Sequence, residues 1–87
     1  MIETRVVIQA EIGLHARPVA LLVQEAQKYQ SKVTLYCNGR RANAKSVLSV
    51  LGMGASNGME VTISASGTDE AAAVSGIQQL IAANFSD

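Results

Sequence analysis

The 87 residues suffice for one small two-layer core and leave no room for a second, so a single domain spanning residues 1–87 is expected. Hydrophobic residues make up 48% of the chain and charged residues 16%, which excludes a disordered polypeptide. Seven Lys and Arg against seven Asp and Glu give a formal net charge of zero, so neither a nucleic-acid surface nor a basic membrane surface is announced, and protein partners stay open.

The first residues alternate. Ile2, Thr4, Val6 and Ile8 share one parity while Glu3, Arg5 and Gln9 take the other, the period of a half-buried strand that Val7 interrupts once. No basic segment leading into an apolar signal core precedes this strand, and no uncharged apolar run reaches membrane-spanning length, so a cytoplasmic protein without membrane insertion is expected. Glu11 to Leu14 break the strand, and Pro18 suits the first turn of a helix beginning near His15 or Ala16, where its missing N–H would have no partner anyway. Ala16, Val19, Ala20, Leu22, Val23 and Ala26 then recur at helical spacing.

Beyond Tyr29-Gln30-Ser31, Val33, Leu35 and Cys37 alternate with Lys32, Thr34 and Tyr36, and Asn38-Gly39 supplies a tight hairpin turn into a short third strand at Arg40 to Asn43. Cys37 is the only cysteine; its parity marks a buried structural thiol, and its solitude excludes an internal disulfide and a cysteine-rich metal site. Ser46 can cap a short helix carrying Val47, Leu48, Val50, Leu51 and Met53, too many apolar residues in about two turns to face one core. Part of that helix is therefore expected at the surface, as a partner-binding face or as local packing under the glycines that follow. Val61, Ile63 and Ala65 against Thr62, Ser64 and Ser66 form a fourth strand. Thr68 or Asp69 caps the last helix, whose inner edge runs through Ala73, Ile77, Leu80, Ile81 and Asn84, joined by Val74 and Phe85. The order β-α-β-β-α-β-α predicts an α+β fold, a four-stranded mainly antiparallel sheet covered on one side by three helices.

His15 is the only histidine, and Ala16-Arg17-Pro18 follow it at the expected start of the first helix. A helix start offers unpaired backbone N–H groups and a positive field to an anion, and a nearby guanidinium adds directional donors. A neutral imidazole nitrogen is a nucleophile near physiological pH and a leaving group once it carries a phosphoryl group, so His15 can take part in reversible transfer. Taken one at a time, His15 is equally a cap or surface residue, Arg17 a solvated charge and Ser46 a cap. No paired carboxylates, Cys–His arrangement or metal-ligand cluster accompanies the histidine, which argues against a small-molecule enzyme, and no metal or organic cofactor is called for.

The string Gly13-Leu14-His15-Ala16-Arg17-Pro18 resembles the active-site signature of the histidine-containing phosphocarrier (HPr) family of the sugar phosphotransferase system. The resemblance continues through Asn38-Gly39, Asn43-Ala44-Lys45-Ser46, Gly58 and Ile63-Ser64-Ala65-Ser66-Gly67, and so covers nearly the whole chain. It implies the open-faced β-sandwich of that family, phosphorylation of His15 at Nδ1, and stabilisation of the phosphoryl group by Arg17. It also implies enzyme I as donor, enzyme IIA components as acceptors, Ser46 as a regulatory site for an HPr kinase/phosphorylase, and a transcription regulator that reads it. Val47, Leu48 and Leu51, with Val19 and Ala20, correspond to the family's docking patch. Ser49 and Gly52 depart from a common form of the family, with glycine frequent at the first position and serine or threonine at the second. A carrier that meets unlike partners in turn is expected as a monomer; a nitrogen-related carrier or a purely regulatory HPr-like binding protein are the alternatives.

Overall fold

In the computed structural model, which describes residues 1–8, 16–54, 58–83 and 85, seven elements follow the expected order. They are β1 (Ile2–Val7), α1 (Ala16–Gln27), β2 (Lys32–Cys37), β3 (Arg40–Asn43), α2 (Val47–Gly52), β4 (Glu60–Ser66) and α3 (Glu70–Ala82). The strands form one sheet in the order β1-β4-β2-β3, and every ladder among the described residues is antiparallel. The β2–β3 hairpin closes through Asn38 and Gly39, both with positive φ (52° and 77°), the left-handed pair whose twist matches that of antiparallel strands.

Register puts the alternating apolar residues on one face. Val6 faces Val61, Thr4 faces Ile63, and Leu35 pairs with both Ile63 and Ala42. The buried side chains of that face meet Val19, Leu22 and Ala26 of α1, Val50 of α2, and Ala73, Ile77 and Ile81 of α3 in one continuous core. Fully burying each larger side chain contributes about 1.5–3 kcal/mol, so this one-sided packing is the main force holding helices to sheet. Cys37 is 3% exposed and belongs to the core, as its parity predicts. Leu80 packs against the core from a half-buried position, and Asn84 lies outside the described residues.

Two expectations are corrected. Asp69 occupies the N-cap position of α3, yet its side chain makes no cap hydrogen bond. Its carboxylate instead accepts the backbone N–H groups of Gln30 and Ser31, each at 2.9 Å, and the Ser31 hydroxyl. Three donors from the α1–β2 turn outcompete the helix's own N–H groups, so Asp69 joins the start of α3 to a turn nearly forty residues earlier. Val19, expected beside a docking patch, is 0% exposed. Helical periodicity places it on the apolar stripe of α1, and the core covers that stripe completely there.

Gly67 shows how close those segments come. A Cβ built on it would lie 2.7 Å from the Ser31 Cα, at a φ of +154° that L side chains rarely adopt.

Candidate functional site

α1 opens with Ala16, Arg17 and Pro18. Pro18 is buried in the first turn, where it sacrifices no helical hydrogen bond. Arg17 is exposed, and its guanidinium has neither a hydrogen bond nor an ion pair among the described residues. The first turn carries no acidic side chain to neutralise the positive end of the helix. A twelve-residue helix with a guanidinium unpaired among the described residues and no acidic side chain in its first turn can therefore hold an anion. His15, the expected nucleophile, lies outside the described residues; in sequence it directly precedes Ala16.

The second part of the site is α2. Ser46 caps it, its Oγ accepting the Ser49 N–H at 3.3 Å from an extended backbone (φ −121°, ψ 119°). Val50 and Met53 point inward at 0% and 3% exposure, whereas Leu48 is 82% exposed, with Val47 and Leu51 at 41% and 38%. The short helix thus splits its apolar residues between the core and an exposed outer face, as their density in the sequence requires. Ala20 of α1 is half-buried, and α1 and α2 pack against one another.

Contacts without a local sequence signal hold α2 in place. Lys45 Nζ donates to the Tyr29 carbonyl at 2.7 Å, supplying a cation just beyond an α1 whose own last turn has none. Gln27 Nε2 donates to the Lys45 carbonyl at 3.3 Å, and Arg40 Nη1 to the Gly52 carbonyl at 3.3 Å at the far end of α2. Sequence inspection singled out the stretch Asn43 to Ser46 but could not say what Lys45 touches, because its partner lies 16 residues away.

Other reactive groups are quiet. Burial pushes the Cys37 thiol above its ordinary range, keeping it protonated and unreactive. Among the described residues, no three His, Cys, Asp or Glu side chains cluster as a metal site.

Residues 2–83 match the family model for the PTS HPr component phosphorylation site. An HPr of Thermoanaerobacter tengcongensis (HPr-C-His) is similar at 38% identity with a TM-score of 0.95, covering 100% of this chain and 98% of its own. The histidine-containing phosphocarrier protein of a mycoplasma is 35% identical over 97% of each chain, with a TM-score of 0.90. Crh, the Bacillus subtilis catabolite repression containing protein, solved as an intertwined dimer with a swapping domain, is 36% identical over 100% of each chain, with a TM-score of 0.77.

Proposed function

This chain belongs to the HPr family of phosphotransferase-system phosphocarriers, and we propose that it accepts a phosphoryl group on Nδ1 of His15 from phosphorylated enzyme I and passes it to sugar-specific enzyme IIA components. The observation that carries this reading is the exposed Arg17, unpaired among the described residues, in a helix first turn that carries no acidic side chain, two positions after His15 in sequence. In the transfer, the His15 nitrogen lone pair forms a P–N bond while the bond from phosphorus to the donor breaks, and the donor retains that electron pair. The Arg17 guanidinium and the α1 backbone donors balance the charge on the phosphoryl oxygens. The next acceptor reverses the step, with the imidazole leaving. Most of the catalytic geometry comes from the partner enzymes, so the chain is a carrier with a covalent intermediate and no cofactor.

Docking uses the exposed Val47, Leu48 and Leu51 with Ala20, while Val19 supports the patch from the core. Phosphate on Ser46, added by an HPr kinase/phosphorylase, would sit at the start of α2 and obstruct that face by charge and size, changing the choice of partner toward a transcription regulator. Residues 1–87 act as one domain, a cytoplasmic monomer; among the described residues no helix is long and apolar enough to cross a membrane. The likeness to Crh favours a second reading, a regulatory binding protein that dimerises.

Incubation with phosphoenolpyruvate and enzyme I, followed by intact mass and peptide mapping under non-acidic conditions, tests the proposal. One phosphoryl group on His15, absent from His15→Ala and formed roughly tenfold or more slowly in Arg17→Ala, is the expected result. An unmodified His15 with an active, compatible enzyme I overturns the sugar-pathway carrier reading and favours a pathway-specific donor, as for a nitrogen-related carrier, or the regulatory one.

A further inference from the structure

The sheet face turned away from the helices carries a second cationic site. Thr34 and Asn43 stand opposite one another in the β2–β3 ladder, and Lys32 and Arg41 share their face at flanking positions, while Val33, Leu35 and Ala42 alternate with them into the core. Ser49 reaches the β3 edge from α2, where its Oγ accepts the Asn43 N–H at 2.8 Å. Lys32, Thr34, Arg41, Asn43 and Ser49, with Ala42, line a groove of about 410 Å³.

Internal hydrogen bonds make this groove one of donors. The Asn43 Oδ1 is taken by the Lys45 N–H at 3.0 Å, which orients the amide and leaves Nδ2 without a partner among the described residues. Ser49 Oγ spends acceptor capacity on Asn43 N–H, and its hydroxyl hydrogen has no acceptor there; neither does that of Thr34. Lys32 and Arg41 form no ion pair among the described residues, and no carboxylate lines the groove. Glu3, which stands in register with Thr34 through Ser64, is two strands away across β4.

Two unpaired cations and three polar donors want a ligand that only accepts and carries about two negative charges. The volume lies toward the lower end of the range for small-ligand pockets, roughly 300–1,000 Å³. We propose that this groove binds a small phosphate monoester, at a site separate from the phosphoryl-accepting one read at His15 and Arg17. The Ser49 N–H also donates to Ser46 Oγ, so occupancy is felt at the cap of α2.

Amide-resolved NMR titration at constant ionic strength tests this with glucose 6-phosphate, inorganic phosphate and, as neutral control, glucose. Saturable shifts at Thr34, Arg41, Asn43 and Ser49 with glucose 6-phosphate, none with glucose, and weaker binding below the ester's second pKa of about 6 are expected. Lys32→Gln with Arg41→Gln should weaken binding by roughly tenfold or more, each single change by less, and Arg17→Gln should leave it unchanged. Inorganic phosphate binding as tightly as the sugar phosphate means that the groove reads the phosphate alone; weaker binding means that it also reads the sugar, and both support the site. Unchanged binding in the Lys32 and Arg41 variants, loss in Arg17→Gln, or no saturable shift at concentrations up to about 10 mM overturns it.

Discussion

Tyr29 and Glu25 illustrate what a single side-chain contact does here. The Tyr29 hydroxyl donates to Glu25 Oε2 at 2.7 Å, and Lys28 Nζ reaches the other carboxylate oxygen at 3.0 Å. The hydrogen bond needs a protonated phenol and an ionised carboxylate, so it pushes Tyr29 up to about 12 and holds Glu25 below its ordinary value, burial adding to the first shift and opposing the second. Because the folded phenol binds its proton more tightly, the contribution is complete at neutral pH and is lost as pH rises through the interval from about 10 to 12. In Glu25→Gln, the ultraviolet titration of Tyr29 should return toward 10, with Tyr29→Phe assigning the signal; an unmoved curve would show that the carboxylate is not its cause. Neither residue stood out in the sequence, because a tyrosine and a glutamate four positions apart beside a helix end are ordinary there.

At the level of elements, α2 separates folding from the proposed docking. Val50 and Met53 anchor it, Ser46 caps it, and Leu48 touches little else. Leu48→Ala should therefore alter the stability by no more than about 0.5 kcal/mol in denaturant unfolding while raising the KM for transfer to an enzyme IIA partner several-fold. A destabilisation of roughly 2 kcal/mol or more would instead place Leu48 in the core. The crowding of five apolar residues into this stretch revealed the exposed face from sequence. Which of them turn outward depended on where α1 and β3 lie, and those positions arise from contacts such as Lys45 with Tyr29 and Arg40 with Gly52.

Across the whole molecule, the two ends of the sheet-and-helix layer are joined at the start of α3. Asp69 receives Ser31 and Gln30, and Glu70 Oε2 pairs with the Met1 ammonium at 3.0 Å. The hydrogen bond from the Ser31 hydroxyl, with those from the backbone, holds the Asp69 carboxyl below its ordinary 3.8. A depressed pKa means that the unfolded chain takes up the proton first on acidification, so this stabilisation is complete above the unfolded value and is lost as pH falls through 3.8 toward the folded one. Asp69→Asn should unfold at lower temperature than the parent near neutrality, with the gap narrowing below about pH 4. A gap that is the same at pH 7 and pH 3 would assign the effect to the geometry of the amide and not to charge.

Local signals determined most of the architecture by themselves: two-residue alternation set β1, β2 and β4 and their inner faces, helical spacing set α1 and α3, and Asn38-Gly39 set the hairpin and with it β3, because each signal is local to a few residues. The string around His15 and Arg17 identified the candidate chemistry for the same reason, its parts being contiguous. Tertiary structure alone decided the strand order with β4 between β1 and β2, the complete burial of Val19, the diversion of Asp69 from cap to clamp, and the convergence of Lys32, Arg41, Asn43 and Ser49 on one groove. Each of these depends on pairing residues far apart in sequence, where the competition among partners is settled by packing and not by local preference.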